Sequence, residues 1–169
     1  VLPDKSSGLD VRPVFKDELL FVFAPTHSFA AGKPITRDDL RTQPLILYGR
    51  SSVTAQLVDA YFKSVDVAPC ALMEIANMEA IKELVKLDLG VSVLAPWAAS
   101  KELGRRTLLM RPPGGKPLRR HWVVAARAGR RFSLIEETFC RLCKQIASGL
   151  RVDRRDLPDL SAGQARAAS

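Results

Sequence analysis

The chain switches between two hydrophobic periods. Apolar residues run unbroken from Leu45 to Tyr48, then, after Gly49, Arg50, Ser51 and Ser52, return at helical spacing at Val53, Leu57, Ala60 and Tyr61. A strand near Ala71 to Ile75 follows. Met78, Ile81, Leu84 and Val85 then mark a second helical face, and Val91, Val93 and Leu94 form a run too apolar for an exposed strand. Two successive strand–helix–strand units predict a βαβαβ arrangement, hence parallel strands and an α/β fold. Asn77 is suited to cap the second helix, and Gly90 is expected to take the positive φ that closes it.

The flanking sequence adds further elements. Asp17 to Ala24, DELLFVFA, is apolar on both alternations, as expected of a central strand covered on both faces, and Pro25 ends it. Thr36 with Asp39 resembles a short capping box. Ala98 to Leu103 reads as a short helix ended by Gly104, and Thr107 to Met110 as a strand. Pro112, Pro113, Gly114, Gly115 and Pro117 then break regular structure before a second apolar strand, Arg119 to Arg127. Ser133 and Glu136 form an S-x-x-E box ahead of Ile135, Phe139, Leu142, Cys143 and Ile146, a helix that must pack on something. Beyond Ser148 few large apolar residues occur, as expected of a mobile tail.

In a parallel sheet the crevice lies outside the carboxyl ends of the strands, where helix N-termini direct their free N–H groups. Ser51, Ser52 and Asn77 therefore gather at one edge, and Ala95, Pro96 and Trp97 bring an apolar wall to it. That combination suits a small ligand, in particular an anion. Plain capping explains each of the polar residues equally well, and for Trp97 a packing or hinge role is preferred to stacking on a ligand.

Composition narrows the class. Of 169 residues 47% are hydrophobic and 26% charged, enough for a folded core, and no apolar run is long enough to span a bilayer. The net charge of +8 is C-terminal: residues 1–100 hold 10 basic and 12 acidic side chains. The later arginines are scattered over loops without a recognition-helix pattern, which favours a solvated or partner-facing surface over direct DNA contact. Three cysteines without a framework fit a reducing cytoplasm. Cys140 and Cys143 lie inside a helix, not at its N-terminus, so packing is preferred to redox chemistry or metal binding. No secretory signal opens the sequence, and its first residue is not Met, so it is expected to begin partway through a larger protein.

The series DELLFVFAPTHSFA, the DDL turn before PLILYGRSS, NMEAIKELVKLDLGVSVLAP, and RRHWVVAA with its closing helix resembles the effector-binding domain of LysR-type transcriptional regulators, over roughly Leu9 to Ala147. The resemblance implies a periplasmic-binding-protein-like fold of two Rossmann-like lobes joined by two crossing strands, with a small effector between them. Lobe I is incomplete in this chain: residues 1–26 and 119–147 are its remnant, 27–118 form lobe II, and 148–169 are a disordered tail. Effector contacts are implied at Ser51, Ser52, Asn77 and Met78. DNA would be read only by a missing N-terminal winged helix-turn-helix, and the full-length protein would be a dimer or tetramer in the cytoplasm, without membrane contact.

Other classes fare worse. GRSSV lacks the second glycine of G-x-S-x-G, and neither His27 nor His121 is tied by a motif to Ser51, so no catalytic residue is assigned. No phosphate-binding loop occurs, hence no nucleotide cofactor, and no metal site is expected. A periplasmic-type solute-binding fragment is the alternative reading, and a serine hydrolase a more distant one.

Overall fold

The computed structural model describes residues 8–49 and 52–150; the expected tail beyond Leu150, together with Arg50 and Ser51, lies outside the described residues. Two compact units result, whose described parts are residues 8–18 with 119–150, and residues 19–118.

The larger unit contains two parallel crossovers. Strand β2 (Pro44–Tyr48) pairs in parallel with β3 (Cys70–Ile75), with Tyr48 opposite Ile75. Helix α2 (Val53–Ser64) connects them. Helix α3 (Met78–Lys86) returns the chain to β4 (Ser92–Leu94), whose preceding residue Val91 makes a parallel bridge with Leu45. Strand β1 (Leu9–Phe23) lies antiparallel to β4, with Phe21 opposite Val93, and β5 (Leu109–Arg111) closes the far side antiparallel to β1. The order in this unit is therefore β3-β2-β4-β1-β5.

Residues 19–23 of β1 alternate between two cores. Leu19, Phe21 and Phe23 face a cluster containing Val58, Tyr61 and Phe62 of α2, while Leu20 and Val22 face one containing Ile81 and Val85 of α3. All five are at most 2% exposed, which is why that stretch reads as an unbroken apolar run. Around Phe21 the rings of Phe29, Tyr61 and Phe62 stand edge-on at 6.0 to 6.4 Å, the preferred aromatic geometry. Before α2 come a 3-10 turn (Ser28–Ala31) and helix α1 (Arg37–Thr42), and the Thr36–Asp39 capping box is formed.

Strand β1 begins eight residues earlier than its apolar run suggests, at Leu9 in place of Asp17. Its first half is partly exposed and contains Pro13, so it carries no two-sided hydrophobic signal. This half belongs to the smaller unit, where β6 (Leu118–Arg127) pairs with β1 and α5 (Leu134–Gly149) follows through the Ser133–Glu136 capping box. Arg120 holds Asp17 across the pair and Phe15 stacks on Trp122 at 5.5 Å. Helix α5 reaches one residue past the expected start of the tail. It buries Cys140 and Ala147, whereas Ile135, Phe139, Leu142 and Ile146 stay exposed, so only part of its apolar surface is covered.

The end of α3 corrects one expectation. Gly90 does not take a positive φ; Asp88 does, at 58°. The Asp88 amide donates to the Val85 carbonyl and the Leu89 amide to that of Leu84, which is the Schellman closure. Asp66 after α2 and Arg106 after helix α4 (Ser100–Gly104) repeat it with φ of 54° and 55°. Aspartate tolerates this region through local hydrogen bonding, whereas arginine has no such compensation. Replacing Arg106 by glycine is expected to raise stability by about 0.5 to 1 kcal/mol, the relief of Cβ strain less the added backbone entropy. Thermal melts of the two proteins check this, and a lower melting temperature for Arg106→Gly contradicts it.

Candidate functional site

The strand order defines a crevice. From β2 the chain leaves through α2 on one face toward β3; from β4 it leaves in the opposite direction across β1 toward β5, with Ala99 and Leu103 packed on the other face. Connections diverging from neighbouring strands open a gap at their carboxyl ends. Gly49 and Ser52 stand at the end of β2, Asn77 at the end of β3, and Ala95 to Trp97 at the end of β4.

Each border is built locally. The Ser52 amide donates to the Gly49 carbonyl at 3.2 Å, closing the turn, and the Ser52 hydroxyl oxygen accepts the Ala55 amide at 3.1 Å. The Asn77 side-chain oxygen accepts the Ala80 amide, also at 3.1 Å, and the first intrahelical bond of α3 runs from Ile81 to the Asn77 carbonyl. That leaves the Met78 and Glu79 amides without an intrahelical acceptor. The Asn77 NH2 group and the Ser52 hydroxyl proton are not consumed by capping, so both caps can still donate outward. Each helix start adds about half a positive charge. An anion is the ligand such an edge favours.

The remaining expected contacts behave differently. Met78 is half-buried against the core beneath α3, so its side chain serves packing while its amide faces the helix start. Pro96 opens a 3-10 turn (Pro96–Ala99), and Trp97, half-buried, packs on the opposite core. Ser51 falls outside the described residues. Neither histidine supports hydrolysis: Nδ1 of buried His27 accepts the Phe29 amide at 3.2 Å and Nε2 pairs with Gln43 Oε1 at 2.9 Å, while His121 lies exposed on β6 in the other unit. Among the described residues no three His, Cys, Asp or Glu side chains gather as a metal would require.

Sequence reasoning missed an ion pair behind this edge. Lys82 of α3 and Glu102 of α4 meet at 3.1 Å with side chains 5% and 10% exposed, and Lys82 also reaches Glu79 at 2.9 Å. Burial pushes the Lys82 ammonium down, but its hydrogen bonds and charge contacts with Glu79 and Glu102 outweigh it and leave the pKa raised. For Glu102 burial pushes up, and its backbone bond, Lys82 and Lys86 bring the net below the ordinary value. Both directions keep the pair ionised. A signal was present: Lys82 sits between Met78 and Val85 at spacings of four and three, on the apolar stripe of its helix.

Comparison with known proteins bears on the family and the fold. Residues 1–148 match the model of the LysR substrate binding domain. The HTH-type transcriptional activator CmpR of Synechocystis sp. (strain ATCC 27184 / PCC 6803 / Kazusa) is 26% identical over 81% of this chain and 45% of its own length. The regulatory domain of Synechocystis PCC6803 CcmR, solved in complex with 2-PG, superimposes with a TM-score of 0.74 at 26% identity, over 85% of this chain and 69% of that one. The effector binding domain of QuiR in complex with shikimate gives 0.70 at 18%, over 87% and 69%, a likeness of fold. The chain thus spans less than half of CmpR, and the α/β fold is that of periplasmic-binding-protein-like regulatory domains. Among the described residues no helix is long and apolar enough to cross a membrane. The family is one of transcription regulators, not enzymes, and this chain belongs to it as a LysR substrate-binding domain.

Proposed function

We propose that the chain is the ligand-sensing part of a longer LysR-type regulator, binding a small anion at the edge formed by Ser51, Ser52, Asn77 and Met78, with Pro96 and Trp97 as its apolar wall. The observation that carries this is the convergence of two capped helix starts and the Pro96–Trp97 turn at the carboxyl ends of β3, β2 and β4. The 2-PG and shikimate complexes of related domains support a small-molecule effector. Residues 27–118 form lobe II in this reading, and residues 1–26 and 119–147 belong to lobe I. An N-terminal winged helix-turn-helix outside this sequence contacts DNA, in a cytoplasmic dimer or tetramer. No cofactor takes part.

Titration calorimetry of the complete protein tests the site. A hydrogen bond from Ser52 or Asn77 to the effector is worth about 1 kcal/mol, so Ser52→Ala and Asn77→Ala are each expected to weaken binding roughly fivefold. Each also loses a cap, at a cost of about 0.5 to 2 kcal/mol of stability, so melts must accompany the titrations. Folded variants that both bind the effector as the parent does would place the site elsewhere.

A further inference from the structure

The same two elements that border the site carry the buried ion pair. Asn77 caps α3 and Lys82 follows in its second turn; Trp97 lies in the turn leading into α4, and Glu102 follows within that helix. Lys82 Nζ is 2.9 Å from Glu79 Oε1 and 3.1 Å from Glu102 Oε1, whereas Lys86 stands 3.9 Å from Glu102. The second carboxylate oxygen, Glu102 Oε2, is buried with no hydrogen-bond partner. Lys82 is thus the nearest charge partner of this carboxylate, with Lys86 further off.

Apolar residues of similar volume would hold α3 against α4 about as firmly, because a buried ion pair gives back much of its attraction as desolvation. What the pair adds is register. An apolar contact slides at little cost, but a charged bond of about 3 Å breaks when the helices shift by an ångström or two. Building on the anion site proposed above, we infer that Lys82 and Glu102 are positioning residues that set the start of α3 against the Pro96–Trp97 turn. Neither touches the ligand. They fix the spacing between the donors at Asn77 and the wall at Trp97, and loosening them costs affinity through that spacing.

The test uses the complete protein with Lys82→Met/Glu102→Leu, Glu102→Gln and, as a control on the site, Asn77→Ala. Three readouts are taken: thermal melting, hydrogen exchange at the Ala80, Ile81 and Ala98 amides without ligand, and calorimetry with inorganic phosphate as probe. Those amides are bonded to Asn77 and Ala95, so they report the two borders directly. The double variant is expected to melt near the parent, yet to exchange these amides about tenfold faster and bind phosphate roughly fivefold more weakly. Glu102→Gln, which keeps a hydrogen bond to Lys82, should fall between the two, and carries the same readouts if the double variant does not fold. Parent-like exchange at all three amides in a folded variant overturns the positioning role, whatever the affinity. If Asn77→Ala leaves phosphate binding unchanged, the anion site itself is wrong, and the exchange rates still decide the role of the pair.

Discussion

Lys82→Met alone is expected to destabilise the domain by about 3 to 5 kcal/mol at neutral pH, the usual cost of leaving a buried charge without its partner. Glu102 is 8% exposed, and its other carboxylate oxygen already lacks a hydrogen bond, so among the described residues only its own backbone bond and the Lys86 ammonium at 3.9 Å are left to offset the charge. The effect should depend on pH. With its pKa lowered, Glu102 contributes stability above its unfolded value of 4.5, and that contribution is lost as pH falls through the folded value, below 4.5. Lys82, raised, contributes below its unfolded value of 10.5 and loses that contribution as pH rises through the folded one. In Lys82→Met the carboxyl loses its partner and can enter the core protonated, so the gap between parent and variant should narrow below about pH 4.5. Urea unfolding of the complete protein across this range measures it. A gap under 1 kcal/mol at pH 7, or one that widens on acidification, would contradict the buried-pair account.

Gly90→Ala is expected to destabilise by about 1 to 3 kcal/mol or more, because an added Cβ would lie 2.6 Å from the Pro44 carbonyl oxygen and 3.2 Å from its carbon. Backbone cannot step aside as a side chain can. The strand start at Val91 is also tied to β2 by the Ile46 amide on the Val91 carbonyl and the Val91 amide on the Pro44 carbonyl, each at 2.9 Å. Any shift that relieves the clash therefore strains these two bonds, which join the start of β4 to the start of β2, the ends opposite the candidate site. Gly104→Ala is the control: nothing lies within 4 Å of its Cβ, and a helical alanine is favoured over glycine by up to about 1 kcal/mol. Denaturation midpoints of the two variants should move in opposite directions. A parent-like midpoint for Gly90→Ala would mean that the β2–β4 approach is looser than described.

Much of the architecture was legible because the signals are local. The apolar periods placed α2, α3 and the three strands around them, and the two capping boxes, Thr36 with Asp39 and Ser133 with Glu136, follow from residues three apart. Ser52 and Asn77 were recognisable as caps for the same reason. The first half of β1 was not visible: Pro13 and partial exposure erase the alternation, and that stretch is a strand because β6 pairs with it. The apolar stripe of α5 was read correctly as a helical face, yet the residues that make it apolar are largely uncovered, a property of neighbours and not of periodicity.

What the sequence determined by itself is thus the kind and limits of most elements, their caps, and through successive strand–helix–strand units the parallel character of the sheet. Hydrogen bonds within a turn and the burial of one helical face need only residues near one another in the chain. The tertiary structure alone decided the order β3-β2-β4-β1-β5, the carbonyl of Pro44 against Gly90, and the meeting of Lys82 with Glu102. The left-handed Asp88 closes its helix through local bonds to Leu84 and Val85, but the strand order, the Pro44–Gly90 approach and the Lys82–Glu102 pair depend on which distant segment arrives alongside, and a glycine or a lysine looks the same in sequence whether it faces water or another backbone a few ångströms away.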